Sequence, residues 1–193
     1  MRPLAILACS VVLGMAPFAA EASAQTTELA AAPSAASLHR ALAGRWTGAL
    51  GYRDYQTDRM FEIPVATTII QVADGLTQIR TSLFDDGPDK PVWITSVSLH
   101  DEAAGTVASA SYRAGRPVEL TTETIRVADW RDDAHWTLVY ESTAQDDDQP
   151  AEIRITETLD GDSLMSVKTV RPVGAGEDAW RFRNQTRLTR VSD

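Results

Sequence analysis

Four polar residues stand where the alternation of the chain favours apolar ones, and they are the first candidates for chemistry. Glu157 shares its alternate-residue face with Ile153, Ile155 and Leu159, and Lys168 shares one with Leu164 and Val170. Asn184 sits between Phe182 and Leu188, and Tyr52 follows Trp46 and Leu50. Residues two apart in a strand share a face, so each group is carried to the side its apolar neighbours bury. A carboxylate, an ammonium, an amide and a phenol in an otherwise apolar enclosure can orient the polar end of a small molecule. They can equally pair with one another, or stand at the rim where a strand leaves the core. Acid–base chemistry by Glu157 with Tyr52 is a third use. No motif marks it, and Glu62, Glu123, Glu141 and Glu157 fall on different strands.

Other chemistries find less support. His39 and His100 have no histidine or carboxylate at metal-ligand spacing, and no carboxylate triad accompanies them, so no zinc site is expected. His135 follows Asp132-Asp133-Ala134 on the polar parity with Thr137 and Glu141, which reads as an exposed strand-end histidine. Asp146-Asp147-Asp148 lacks the alternating ligands, central Gly and final Glu of a calcium loop, and reads as a solvated turn. Gly174-Ala175-Gly176 precedes a strand, so no helix N-terminus is available there to hold a phosphate. There is no Gly-x-Ser-x-Gly, and no serine can be paired with a histidine.

The elements that must position these residues are strands. Period-two segments run over 46–54, 61–72, 76–84, 92–100, 106–112, 117–127, 135–142, 152–159, 163–170 and 180–191. Turn signals separate them: Asp74-Gly75, Asp85-Asp86-Gly87-Pro88, Ala114-Gly115, the charged 129–133 loop, Asp160-Gly161 and Gly174-Ala175-Gly176. Connections this short demand antiparallel neighbours. Ten strands in meander order leave two bare edges unless they curl shut, so a closed barrel is expected. A short helical turn over 37–43, with Ser37 as N-cap and Gly44 as stop, precedes the first strand. That strand opens Gly44-Arg45-Trp46-Thr47-Gly48. The Trp is placed to plug one end of the barrel, and the glycines let backbone approach its ring.

The N-terminus reads as an export signal over 1–24: Arg2, an apolar run to Phe18, and Ala22-Ser23-Ala24 as a cleavage site. The run is too short to span a membrane, and no later segment approaches that length, so no transmembrane segment is expected in the mature chain. Cys9, the one cysteine, lies inside the signal, so the mature chain is expected to have neither a disulfide nor a thiol nucleophile. Residues 25–36 read as a flexible linker, and 37–193 as one domain. The net charge of −9 argues against nucleic acid or an anionic membrane surface as partner, since both require positive charge.

The helical turn, the Gly-x-Trp first strand and the arginine-rich closing strand together resemble the calycin superfamily. That group comprises lipocalins, fatty-acid-binding proteins and nitrobindin-like barrels, and ten strands is closer to the latter two. In such barrels a late arginine packs on the first-strand Trp. Arg190 and Arg187 match that position, and parity favours Arg190, which shares a face with Trp180, Phe182 and Leu188. The resemblance implies a structural role for it, a cation against an aromatic ring. Arg181, Arg183 and Arg187 take the outward parity, where cross-strand pairing with carboxylates is expected. Nitrobindin-like barrels bind heme through a histidine near the C-terminus, but this chain has none after His135, so no cofactor is expected.

Taken together, the residues predict an all-β, exported, periplasmic or secreted protein whose single antiparallel meander barrel holds a small apolar or amphipathic molecule. Its site would comprise Tyr52, Glu157, Lys168 and Asn184, with Gly44, Trp46, Gly48, Arg187 and Arg190 as the structural signature. The alternative is an envelope interaction or inhibitor protein whose barrel is filled with side chains and whose loops do the work. The interior discriminates: small polar inward residues leave a cavity, and large ones fill it. Abundant Ala, Ser and Thr over 106–110 and 121–124 favour space.

Overall fold

A computed structural model describes residues 33–54, 57, 59–146 and 148–192. The signal over 1–24 and most of the 25–36 stretch lie outside the described residues. Ten antiparallel strands close into a barrel in meander order: β1 (Gly44–Asp54), β2 (Arg59–Gln71), β3 (Thr77–Asp85), β4 (Pro91–Asp101), β5 (Thr106–Arg113), β6 (Glu119–Asp132), β7 (His135–Asp146), β8 (Gln149–Asp160), β9 (Ser163–Pro172) and β10 (Arg181–Arg190). β1 closes the circle by pairing with both β2 and β10.

The helix begins earlier than the sequence suggests. α1 (Ala35–His39) is capped by Ser34, whose Oγ accepts from the Ser37 backbone N–H, and it runs on into a 3-10 turn, Arg40–Leu42. Ser37 therefore occupies the first turn instead of the cap. Its hydroxyl donates back to the Ser34 carbonyl. Two serines three residues apart both satisfy the cap pattern, and the apolar positions Ala36, Leu38 and Leu42, all buried, select the earlier one.

Residues 129–133, expected as a loop, are strand as far as Asp132. Register shifts at Val127/Asp129 and Trp130/Asp132 extend the β6–β7 hairpin, and these bulges break the alternation that would have announced it. Trp180, expected on the inward face of β10, lies just before it instead. It is held on the outer face by the guanidinium groups of Arg154 and Arg171, 4.3 and 4.6 Å from its ring centre.

The core is concentrated at one end. Trp46, Ile69, Trp136, Leu138, Leu159, Leu164 and Leu188 meet Leu38 and Leu42 of the helical plug there. The Trp46 indole N–H donates to the Leu42 carbonyl at 2.9 Å, fastening plug to barrel. Arg190 lies over the Trp46 ring, 4.2 Å from its centre, and its two terminal nitrogens donate to the carbonyls of Ala41 and Ala43. One arginine thus serves as a ring cover and as a cap for the carbonyls at the end of the plug. Arg187 instead faces outward and pairs with Glu62. Gly48 permits the seam: a β-carbon there would lie 1.8 Å from the Arg187 carbonyl oxygen. Gly44, at φ +134°, turns the chain out of the plug in a conformation few other residues adopt.

Candidate functional site

Above the apolar end the inward positions change character. Thr67 and Ser82 face in from β2 and β3, Ser96 and Ser98 from β4, Ser109 and Ser111 from β5, Ser166 from β9 and Thr186 from β10. Many of these satisfy one another across strands: Thr67–Ser82, Ser96–Ser111 and Ser98–Ser109 are each 2.8 Å apart. Paired hydroxyls meet their hydrogen-bonding needs in little volume, so the space between them is left open. The result is a cavity of about 350 Å³ lined by Arg80, Ser111, Glu123, Ser142, Glu157, Ser166 and Lys168, among others. A second void of about 190 Å³ shares Arg80, Ser96, Glu157 and Ser166 with it and extends to Val65, Leu164 and Leu188.

Between the apolar end and the cavity lies a buried polar chain. Glu157 receives Arg80 at 3.2 Å on Oε2 and the Tyr140 hydroxyl at 3.2 Å on Oε1. Tyr140 in turn meets His39 Nε2 at 2.6 Å, and His39 Nδ1 meets His100 Nε2 at 2.9 Å. Gln78 donates to the His39 carbonyl. Tyr140 donates to Glu157 and accepts from His39 Nε2, while Arg80 donates to the carboxylate from the other side. Burial alone would raise the Glu157 carboxyl, but the Arg80 charge and the His39 hydrogen bond outweigh it and hold the pKa at about 2. Burial, then the neighbouring His39, pushes His100 down to about 4. The Tyr140 phenol is driven up by burial and by the Glu157 charge. The chain therefore joins the plug to the cavity floor. Its carboxylate stays ionised and fully engaged, which does not suit a general acid.

Of the four polar residues singled out from the sequence, the structure brings Lys168 and Glu157 to one cavity. Asn184 is level with Lys168 on β9 and with Tyr52 on β1. Tyr52 stands at the rim against Phe61, ring centres 5.3 Å apart, and Glu157 is partnered by Tyr140 in its place. The apparent isolation of His39 and His100 is corrected: the fold bonds them to each other across 61 residues of sequence. Arg80 and Tyr140 escaped the sequence reading, and Glu123 entered it only as one of four carboxylates on different strands. A signal for Arg80 existed in its parity with Gln78, Ser82 and Phe84, and one for Tyr140 in its parity with Trp136 and Leu138. His135 pairs with Asp132 at 2.6 Å and is about one-third exposed at its strand end.

Lys168 makes no hydrogen bond or ion pair among the described residues, whereas Arg80, the other cation of the cavity, is committed to Glu157. Burial raises the Glu123 carboxyl, partly offset by a hydrogen bond from Ser142 and by the Lys168 charge. Among the described residues no three His, Cys, Asp or Glu side chains are grouped to hold a metal ion. Both ring nitrogens of His39 and Nε2 of His100 are engaged within the polar chain, which does not fit axial ligation of a heme by His39.

The chain matches no protein-family model, and no curated protein matches it. Among solved structures, Rv2717c from M. tuberculosis aligns with a TM-score of 0.56 at 19% identity, over 83% of this chain and 100% of that one. A protein with unknown function of the DUF3598 family from Nostoc punctiforme PCC 73102 aligns at 9% identity and a TM-score of 0.26, over 83% of this chain and 100% of that one. The likeness to the M. tuberculosis protein is one of fold.

Proposed function

We propose that this calycin-like barrel is an exported binding protein for a small amphipathic molecule with a negatively charged, hydrogen-bonding end. The observation that carries the reading is the unpaired Lys168 ammonium in a hydroxyl-lined cavity. A purely apolar ligand would strip water from the Lys168 ammonium and return no hydrogen bond, at a cost of about 1–3 kcal/mol or more for a charged group left unsatisfied. An anionic end satisfies Lys168 and the nearby serines together. The apolar part has Leu50, Ile63, Phe84, Val92 and Ile94 near the mouth to pack against. Small inward side chains count against the filled barrel of the alternative reading. Export rests on the signal-like pattern of residues 1–24.

Native mass spectrometry of the protein purified gently from its own host tests this. The expected result is a discrete added mass, lost on denaturation and recovered by solvent extraction as an organic anion. Protein that arrives empty, and that takes up neither alkyl carboxylates nor alkyl phosphates in titration, would overturn it.

A further inference from the structure

We infer that the ligand enters and leaves through a slot in the barrel wall between β6 and β7, not through the barrel mouth. The inference rests on the cavity being a binding site. Pairing of β6 with β7 ends at Thr124 opposite Glu141. Beyond that point residues 119–123 pair only with β5, and residues 142–146 only with β8. Each bank of the slot therefore presents backbone donors and acceptors with no strand opposite, whereas at the β2–β3 seam only β2 overhangs, by residues 59–64.

Exposure gives the same answer independently. Thr121 and Ala144 have inward parity, yet both are exposed, whereas Ser109 opposite Thr121, and Ser166 on β9, are half-buried. Only light contacts cross at the apex: Thr124 Oγ1 donates to the Glu141 carbonyl at 3.2 Å, and Ser142 Oγ reaches Glu123 at 3.5 Å. Outside the slot lies a groove of about 440 Å³ bordered by Thr122, Thr143, Glu152, Arg171 and Trp180. Groove and inner cavity share Ser142 and Ile153, so the two spaces lie on either side of the same stretch of wall.

The mouth is the competing route, and it is poorer. On its β1–β5 side Leu50, Ile63, Phe84 and Ile94, with Arg113, border a mainly apolar space of about 150 Å³. A charged end passing there would lose water against apolar side chains, whereas threonine and serine hydroxyls line the slot and replace that water on the way in.

The test needs no ligand, so its failure would reject the portal and leave the binding reading to mass spectrometry. A Ser166→Cys variant puts a thiol in the cavity, and its alkylation by iodoacetamide is followed on the peptide carrying position 166. Adding Thr121→Trp with Ala144→Trp, both at exposed positions, should slow alkylation by about tenfold or more, while Val92→Trp at the mouth should leave it within about twofold. The reverse ranking, or no slowing by the slot pair, overturns the portal. Hydrogen exchange on the unmodified protein gives a check free of substitutions. The slot-facing amides of 119–123 and 142–146 should exchange far faster than amides of the β8–β9 seam, and equal protection would refute the open wall.

Discussion

Mild acid should destabilise this protein through one residue, His100. Its ring is buried and bonded to His39, and its pKa is held near 4 against an ordinary value of 6.5. Because the folded value lies below the unfolded one, the unfolded chain takes up the proton first. The stabilisation is complete above 6.5 and drains away as pH falls toward 4. The full separation is equivalent to about 3 kcal/mol, and about 2 kcal/mol of it should be gone by pH 4.5. Glu157 acts with the same sign at lower pH, since its folded value near 2 lies below an ordinary 4.5, so its loss begins only below about 4.5. Glu123 has the opposite sign: its raised value lends stability at low pH that is lost as pH climbs through it.

Urea melts from pH 7 to 4.5, comparing the natural protein with His100→Gln, isolate the effect. The amide can still donate to His39 but does not titrate, and the carboxylate contributions are common to both proteins. The variant should start less stable at pH 7 by about 1–2 kcal/mol, for the imperfect replacement of one buried hydrogen bond. The gap should then close, or invert, by about 2 kcal/mol at pH 4.5. Parallel pH profiles for the two proteins would refute the argument that burial, with His39 beside it, keeps His100 neutral.

Gly48→Ala should cost at least about 3 kcal/mol in a urea melt, because the backbone atoms that its β-carbon meets belong to the β1–β10 seam and cannot rotate away. Trp46→Ala should cost about 3–5 kcal/mol, and Arg190→Lys about 1–3 kcal/mol, since an ammonium cannot span the Ala41 and Ala43 carbonyls and cover the ring together. Lys168→Met should leave the melt within about 1 kcal/mol of the natural protein but weaken retention of an anionic ligand by about 10- to 100-fold, read as adduct occupancy in native mass spectra.

The strand rhythm was legible because one face of most strands is turned inward, buried or half-buried, and that asymmetry writes period two into the sequence. The Trp46–Arg190 contact was implied by the calycin resemblance, parity on the last strand then chose Arg190 over Arg187, and the fold keeps that separation. The 129–133 segment was hidden because two bulges move Asp129 and Asp132 out of alternation, so a strand looks like a charged loop. The polar chain was hidden for a different reason. His39 on the plug, Arg80 on β3, Tyr140 on β7 and Glu157 on β8 become neighbours only when the barrel closes. Tyr140 and His39 are 101 residues apart, and Arg80 and Glu157 are 77. Spacing rules see local ligands, and none of these partners is local.

The division of the interior into an apolar end and a hydroxyl-lined end has an energetic consequence. Serines and threonines that satisfy one another across β2–β3 and β4–β5 contribute little hydrophobic stabilisation, so the upper half of the barrel is held mainly by its strand pairing. Stability must come from the other half, where Trp46, Trp136 and the leucines of β7 to β10 close over Leu38 and Leu42. Glu157 and Tyr140 sit at the boundary, tied below to the plug through His39 and above to the cavity through Arg80. Substitutions below that boundary should therefore be read in melting curves, and those above it in binding. A change at Glu157 itself should move both, since it frees Tyr140 and His39 on the plug side and leaves Arg80 without its carboxylate on the cavity side. On the proposed binding reading, Lys168 is the cation that a ligand would meet while Glu157 holds Arg80.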